Sequence, residues 1–120
     1  GHGIKSAMRA GIEVCVISGR RSAAVERRCR ELGIRHVRQG IEDKSAAFRE
    51  ILAELDRTPA QAACVGDDTP DLPVMALVAF PVAVADAHPD VVAAARYVTR
   101  TPGGHGAVRE VCDLLVEASQ

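Results

Sequence analysis

Aromatic side chains are almost missing from this chain: Phe48, Phe80 and Tyr97 are the only three, there is no Trp, and together they make up 2% of 120 residues. A platform on which single-stranded nucleic acid stacks is therefore excluded, and a net charge of −1 removes the electrostatic footprint of a nucleic-acid partner. Arg20, Arg21, Arg27, Arg28 and Arg30 form a local cluster, which on its own reads as a solvated helix face. Four cysteines, at 15, 29, 64 and 112, contain neither a CxxC pair nor zinc-site spacing. Cys15 and Cys64 fall inside apolar runs, where reduced cysteine behaves as a small hydrophobe, and this points to a cytoplasmic protein. The longest apolar stretch, around Val74 to Ala85, is broken by Pro81 and is too short to cross a membrane. No signal-peptide pattern is read in these residues, and no repeat, low-complexity tract or long linker argues for a second domain.

What is present is a chain that is 48% hydrophobic, enough for one globular core. Apolar runs at Glu13–Ser18, Ile34–Val37, Ala62–Gly66, Val78–Val84 and Tyr97–Val98 read as strands. Between them lie helical segments at about Arg21–Leu32, Lys44–Leu55, Asp71–Leu77, Pro89–Ala95 and Ala107–Ala118, with a shorter one at Ser6–Ala10. Strand and helix in alternation predict an α/β fold, a Rossmann-like three-layer arrangement around a parallel sheet with right-handed crossovers. The chain begins without Met, and Gly1-His2-Gly3-Ile4-Lys5 leads into a helix with no strand before it. A βα unit starts with its strand, so we expect a fragment or a processed chain.

Chemistry concentrates at two strand ends. Gly66-Asp67-Asp68-Thr69-Pro70-Asp71 follows the apolar run Ala62–Val65, and α/β sheets bind ligands beyond the carboxyl ends of their strands. Three carboxylates there suit Mg2+, which prefers oxygen ligands and commonly takes one or two carboxylates together with substrate phosphate. Asp68 alone reads equally well as a helix cap. After the run Glu13–Ile17, Ser18-Gly19-Arg20 supplies a hydroxyl, an unhindered N–H and a guanidinium at a helix N-terminus, which are phosphate-binding parts. Taken singly, Ser18 reads as a cap and Arg20 as a surface charge. Lys44 opens a helix after Gly40-Ile41-Glu42-Asp43 and could bridge a phosphate and a carboxylate as a compact point charge, though a lone lysine is ordinarily solvated.

In that order, Ser18-Gly19-Arg20, Lys44 and Gly66-Asp67-Asp68-x-x-Asp71 resemble the second, third and fourth motifs of the haloacid dehalogenase superfamily. The segments Gly11–Val14, Glu26–Cys29, Val84–Pro89, Tyr97–Arg100 and Gly103–Asp113 extend the resemblance over essentially the whole chain, to the superfamily's 3-deoxy-D-manno-octulosonate 8-phosphate phosphatases. The resemblance implies a cytoplasmic, homotetrameric, Mg2+-dependent phosphomonoesterase acting on an acidic sugar phosphate in lipopolysaccharide precursor synthesis, with neither nucleic-acid nor membrane partners. It implies Asp67 as the Mg2+ ligand with Asp68 and Asp71 as supporting acids, and Lys44 bridging phosphate and nucleophile. Ser18 and the Gly19 backbone would bind the phosphoryl group, while Gly1, Lys5, Arg20 and Arg28 would face the substrate. The loop Gly103–Gly106 resembles the approach to a tail that closes over an active site, with His105 where arginine is common.

One departure is large. The superfamily's first motif, Asp-x-Asp at the end of the central strand, supplies the nucleophile and the acid–base, and these 120 residues contain no counterpart ahead of Gly1. The expectation is a single phosphatase core domain over 1–120, N-terminally incomplete, lacking the central first strand and inactive by itself. Rival readings are a phosphatase for nine-carbon acidic sugar phosphates or a domain fused to a cytidylyltransferase, a non-catalytic anion-binding or assembly domain, and a receiver-like domain. Receivers carry their acidic pair early, which disfavours the last.

Overall fold

The computed structural model describes residues 2–104 and 106–118. Helix α1 (His2–Arg9) leads into strand β1 (Cys15–Ile17), followed by α2 (Ala23–Leu32), β2 (His36–Arg38), α3 (Lys44–Leu55), β3 (Ala63–Gly66), α4 (Leu72–Met75), β4 (Phe80–Ala83), α5 (Pro89–Ala94), β5 (Tyr97–Val98) and α6 (Ala107–Ala118). Short 3-10 turns at Pro59–Gln61 and Thr69–Asp71 precede β3 and α4.

The boundaries follow from local chemistry. Helix α2 starts at Ala23, later than the periodicity suggests, because Ser22 takes the cap position and its side chain accepts from Val25 N. It ends at Gly33, whose φ of 81° closes the helix and lets Ile34 N donate to Cys29 O at 2.9 Å. Ile34 is thereby buried against Cys29 and Leu32, and β2 begins only at His36. Helix α1 starts earlier than expected from Ser6, at His2. Gly3 explains the reach: a Cβ there would sit 2.9 Å from Arg109 Cα, so the bare backbone lets α1 lie close against α6.

All strand pairs are parallel. Strand β1 pairs with β2, aligning Val16 with Val37, and β3–β4–β5 form a separate group that aligns Val65 with Val82 and Ala83 with Val98. Strand parity sets the layers. Ile4 and Met8 of α1, together with Val14, Val16 and Val37, pack against a buried cluster of Cys29, Leu32 and Ile34. Helix α3 contacts β1 and α4, and Met75, Ala83 and Val91 form a second cluster under α4 and α5. Val82, Ala83 and Val91 are fully buried and make β4 the best covered strand.

The sheet is interrupted between its two groups. Among the described residues β1 has no partner on its side away from β2, and β3 none on its side away from β4. A cleft of about 650 Å3 lies there, lined by residues of both strands and of α1, α3 and α6. The α/β class expected from the alternation of runs is thus observed, with parallel pairing throughout the described strands.

Candidate functional site at the strand ends

The loops after β1, β2 and β3 meet at one end of the cleft. Ser18 continues β1: its N–H donates to Arg38 O at 2.9 Å, and its carbonyl accepts from Ile41 N at 3.0 Å. Its hydroxyl accepts from Arg20 N at 3.1 Å, so it shapes the loop, while Ser22 caps the helix. The N-terminus of α2 therefore lies beyond Ser18-Gly19-Arg20, a correction to the expectation that this tripeptide sits on it. Gly19 is exposed, and its N–H has no partner among the described residues. An unengaged donor at a strand end can accept an anion.

Gln39, which sequence reasoning passed over, holds this loop, and Arg21, read there only as part of a solvated cluster, lies over it. The Gln39 side chain accepts from Ser22 N at 2.7 Å and donates to Ser22 O at 3.1 Å, tying the start of α2 to the end of β2. Gly40 has a φ of 67°, and a Cβ there would meet Arg21 Nε at 2.6 Å. A conformation for glycine and a guanidinium lying over it explain Gly40. The available signal was Gly40 itself, two residues after a strand.

On the other wall of the cleft, Asp71 organises the acidic loop. Its carboxylate accepts from Asp67 N at 3.0 Å and Asp68 N at 3.3 Å, and from Lys44 Nζ at 2.7 Å. Asp68 accepts from Thr69 N at 2.7 Å and caps the 3-10 turn, as its bland reading anticipated. Gly66 has no positive φ; its requirement is space, since a Cβ would lie 2.7 Å from Met75 Sδ and 3.1 Å from Asp71 Cβ.

These contacts divide the acids. Burial pushes the Asp71 carboxyl up, but the Lys44 hydrogen bond and the N–H groups of Asp67 and Asp68 outweigh it and hold Asp71 below its ordinary value. Burial raises Asp67, and the neighbouring Asp71 carboxylate raises it further against a smaller opposing pull from Lys44. Asp67 is thus an under-compensated carboxylate beside a satisfied one. Such a group suits a hard cation. Among the described residues, however, no group of three His, Cys, Asp or Glu could hold a metal ion, so Asp67 would be one ligand of a shell completed from elsewhere.

The remaining site residues are dispersed. Lys5 on α1 and Arg20 are exposed and form no ion pair among the described residues. Arg28 points from α2 to Glu31 at 3.4 Å. Gly1 and His105 lie outside the described residues. The approach to His105 is nonetheless braced: Gly103 N donates to Asp86 Oδ1 at 2.8 Å. Glu110 gathers the Tyr97 hydroxyl, the N–H groups of Arg100 and Thr101, and Thr101 Oγ1, linking β5 to α6. Sequence reasoning missed this hub because half of its partner groups are backbone N–H groups.

Comparison with known proteins matches this arrangement. Residues 37–111 fit the model of the haloacid dehalogenase-like hydrolases. The chain is 52% identical over 118 residues to the 3-deoxy-D-manno-octulosonate 8-phosphate phosphatase KdsC of Yersinia pestis, covering 98% of this chain and 63% of that protein. It therefore spans less than two thirds of the length of the curated relatives it matches. The crystal structure of 3-deoxy-D-manno-octulosonate 8-phosphate phosphatase from Yersinia pestis superposes with a TM-score of 0.95 at 51% identity, over 98% of this chain and 63% of that one. That of the Moraxella catarrhalis phosphatase, in complex with magnesium ion, phosphate ion and KDO, gives 0.93 at 38% identity, over 99% and 68%. Motif order, sheet topology and these matches agree, and the chain belongs to the haloacid dehalogenase-like hydrolases.

Proposed function

We propose that this chain carries the phosphate-binding and metal-binding walls of a cytoplasmic Mg2+-dependent phosphomonoesterase that hydrolyses 3-deoxy-D-manno-octulosonate 8-phosphate. The observation that carries the reading is the Lys44–Asp71 pair, 2.7 Å apart with side chains only 16% and 13% exposed, beside the raised carboxyl of Asp67. The matched relatives, named as phosphatases for this substrate, support the choice of sugar.

Phosphoryl transfer is mostly positioning and electrostatics, and these residues supply both. The Gly19 N–H and the Ser18 hydroxyl face the phosphoryl oxygens, and the Lys44 ammonium neutralises charge on them. Asp71 fixes Lys44 in place and aligns the Asp67 backbone. Asp67 is the carboxylate offered to Mg2+, which when bound contributes charge neutralisation at the phosphoryl group. Arg20, Arg28, Lys5 and Gly1 are assigned to the acidic sugar. On this reading the nucleophilic and acid–base carboxylates would stand on a strand between β1 and β3, and a homotetramer and a role in lipopolysaccharide precursor synthesis belong to the same reading.

The test is phosphate release by the intact protein from three esters: 3-deoxy-D-manno-octulosonate 8-phosphate, a nine-carbon acidic sugar phosphate and p-nitrophenyl phosphate. A kcat/KM at least tenfold higher for the eight-carbon acid supports the proposal. Preference for the nine-carbon acid would reassign the substrate, and binding without release would leave an anion-binding domain.

A further inference from the structure

We propose that Thr99 is a positioning residue for the Asp67 carboxylate, acting through the turn between β4 and α5. The inference rests on the reading of Asp67 as the Mg2+ ligand and adds what holds that ligand in place. Thr99, directly after β5, is 3% exposed and is the one buried polar residue among the described residues. Its hydroxyl accepts from Ala85 N at 3.0 Å and donates to Thr101 O at 2.6 Å, and its N–H donates to Ala83 O at 2.9 Å. A valine in its place would fill similar space and leave Ala85 N and Thr101 O without this partner.

The turn that Thr99 ties down reaches Asp67. Beyond the last aligned pair of β3 and β4, Gly66 with Ala83, Val84 N donates to Gly66 O at 3.2 Å and His88 N donates to Asp67 O at 2.9 Å. Ala85, Asp86 and Ala87 lie between those two bonds. Ala87 N closes the turn on Val84 O at 3.0 Å, Thr99 fixes Ala85, and Asp86 Oδ1 accepts from Gly103 N at 2.8 Å. His88 then caps α5, its Nδ1 accepting from Asp90 N at 3.0 Å, and the fully buried Val91 anchors that helix. The main chain of Asp67 is thereby held on both sides: its carbonyl by His88 N, and its N–H by Asp71 Oδ2 at 3.0 Å. One clamp comes from its own loop, and the other from a turn that depends on Thr99. Clamping matters for this ion, because Mg2+ demands near-octahedral geometry at about 2.0–2.1 Å whereas Ca2+ accepts longer and more variable contacts. A carboxylate whose backbone shifts therefore loses Mg2+ before Ca2+.

The experiment measures Mg2+ and Ca2+ binding to the intact protein by calorimetry without substrate, for the unaltered protein, Thr99→Val, Thr99→Ser and Asp67→Ala. Amide hydrogen exchange at His88 and Val82 is followed alongside in the absence of metal. Thr99→Val should weaken Mg2+ binding by about tenfold, the scale of losing a hydrogen bond behind a metal ligand, and Ca2+ binding by less. Exchange should quicken more at His88 than at Val82, which separates local loosening of the turn from general destabilisation. Thr99→Ser keeps the hydroxyl and should return both readouts towards those of the unaltered protein. Unchanged Mg2+ binding by folded Thr99→Val, equal weakening of both ions, or equal quickening at both amides would overturn the proposal; the reading of Asp67 survives that result if Asp67→Ala abolishes Mg2+ binding. Mg2+ binding unchanged by Asp67→Ala would overturn the metal reading and this proposal with it. If Thr99→Val does not fold, Asp86→Ala, at an exposed residue of the same turn, decides: weakened Mg2+ binding with faster exchange at His88 supports the proposal, and neither change overturns it.

Discussion

Lys44 Nζ lies 2.7 Å from Asp71 Oδ1, joining the first residue of α3 to the loop after β3 across the mouth of the cleft. The pair spans 27 residues of sequence and fixes the Lys44 ammonium while leaving the Asp67 carboxyl less compensated.

Replacing Lys44 by Met should remove phosphate-ester hydrolysis by the intact protein at least 100-fold, the scale of losing a charge-stabilising donor. Stability should fall by about 1–3 kcal/mol, because Asp71 loses its ammonium but keeps two N–H donors. Lys44→Arg should not restore the rate, since a planar fork does not replace a point charge. Steady-state kinetics with urea unfolding check both variants.

Acid should weaken the link between β5 and α6. The Tyr97 hydroxyl and the N–H groups of Arg100 and Thr101 hold the Glu110 carboxyl down at about 2, against 4.5 ordinarily. A depressed folded value means that the stabilisation is present above pH 4.5 and disappears as pH falls towards about 2. Glu110→Gln should flatten that limb of the stability-versus-pH curve measured by urea unfolding between pH 5 and 2. An unchanged limb would assign the acid sensitivity to other carboxyls, Asp71 first among them, whose folded value is also lowered.

Gly66→Ala should destabilise by about 1–3 kcal/mol, the cost of overpacking. Its new methyl group would press on Met75 Sδ at 2.7 Å and on Asp71 Cβ at 3.1 Å. Met75→Ala in the same chain should recover part of the loss relative to the sum of the single variants, read by a double-mutant cycle in urea.

Arg28→Ala should raise KM for the acidic sugar phosphate while sparing p-nitrophenyl phosphate, as expected of a contact remote from the reacting phosphorus. Its exposed guanidinium engages only Glu31 among the described residues, so stability should change by less than about 0.5 kcal/mol. Equal losses on both esters would remove Arg28 from substrate recognition.

The alternation of apolar runs was sufficient for the order of elements, because buried parallel strands are written in short stretches such as Cys64-Val65 and helices in longer periodic ones such as Ala107–Ala118. Ends were less legible. Ser22 displaces the start of α2 by a side-chain cap on Val25 N, and Gly33 the start of β2 through its positive φ. At the site, the acidic loop and Lys44 were readable by residue type, whereas their division of labour was not. Only the fold brings Asp71 to Lys44 and two N–H groups, leaving Asp67 as the carboxylate to be compensated. Gln39 and Glu110 were invisible for a related reason: each binds main chain, and nothing in their neighbouring residues marks it.

Asp67→Ala in the intact protein is the most direct test of the phosphatase assignment, with phosphate release from 3-deoxy-D-manno-octulosonate 8-phosphate followed across a Mg2+ titration. Loss of at least 100-fold in kcat/KM with no recovery at ordinary Mg2+, while the urea midpoint stays equal or rises, is the predicted result, since the substitution removes an exposed carboxylate that its surroundings under-compensate. Near wild-type release at the same Mg2+ would contradict it.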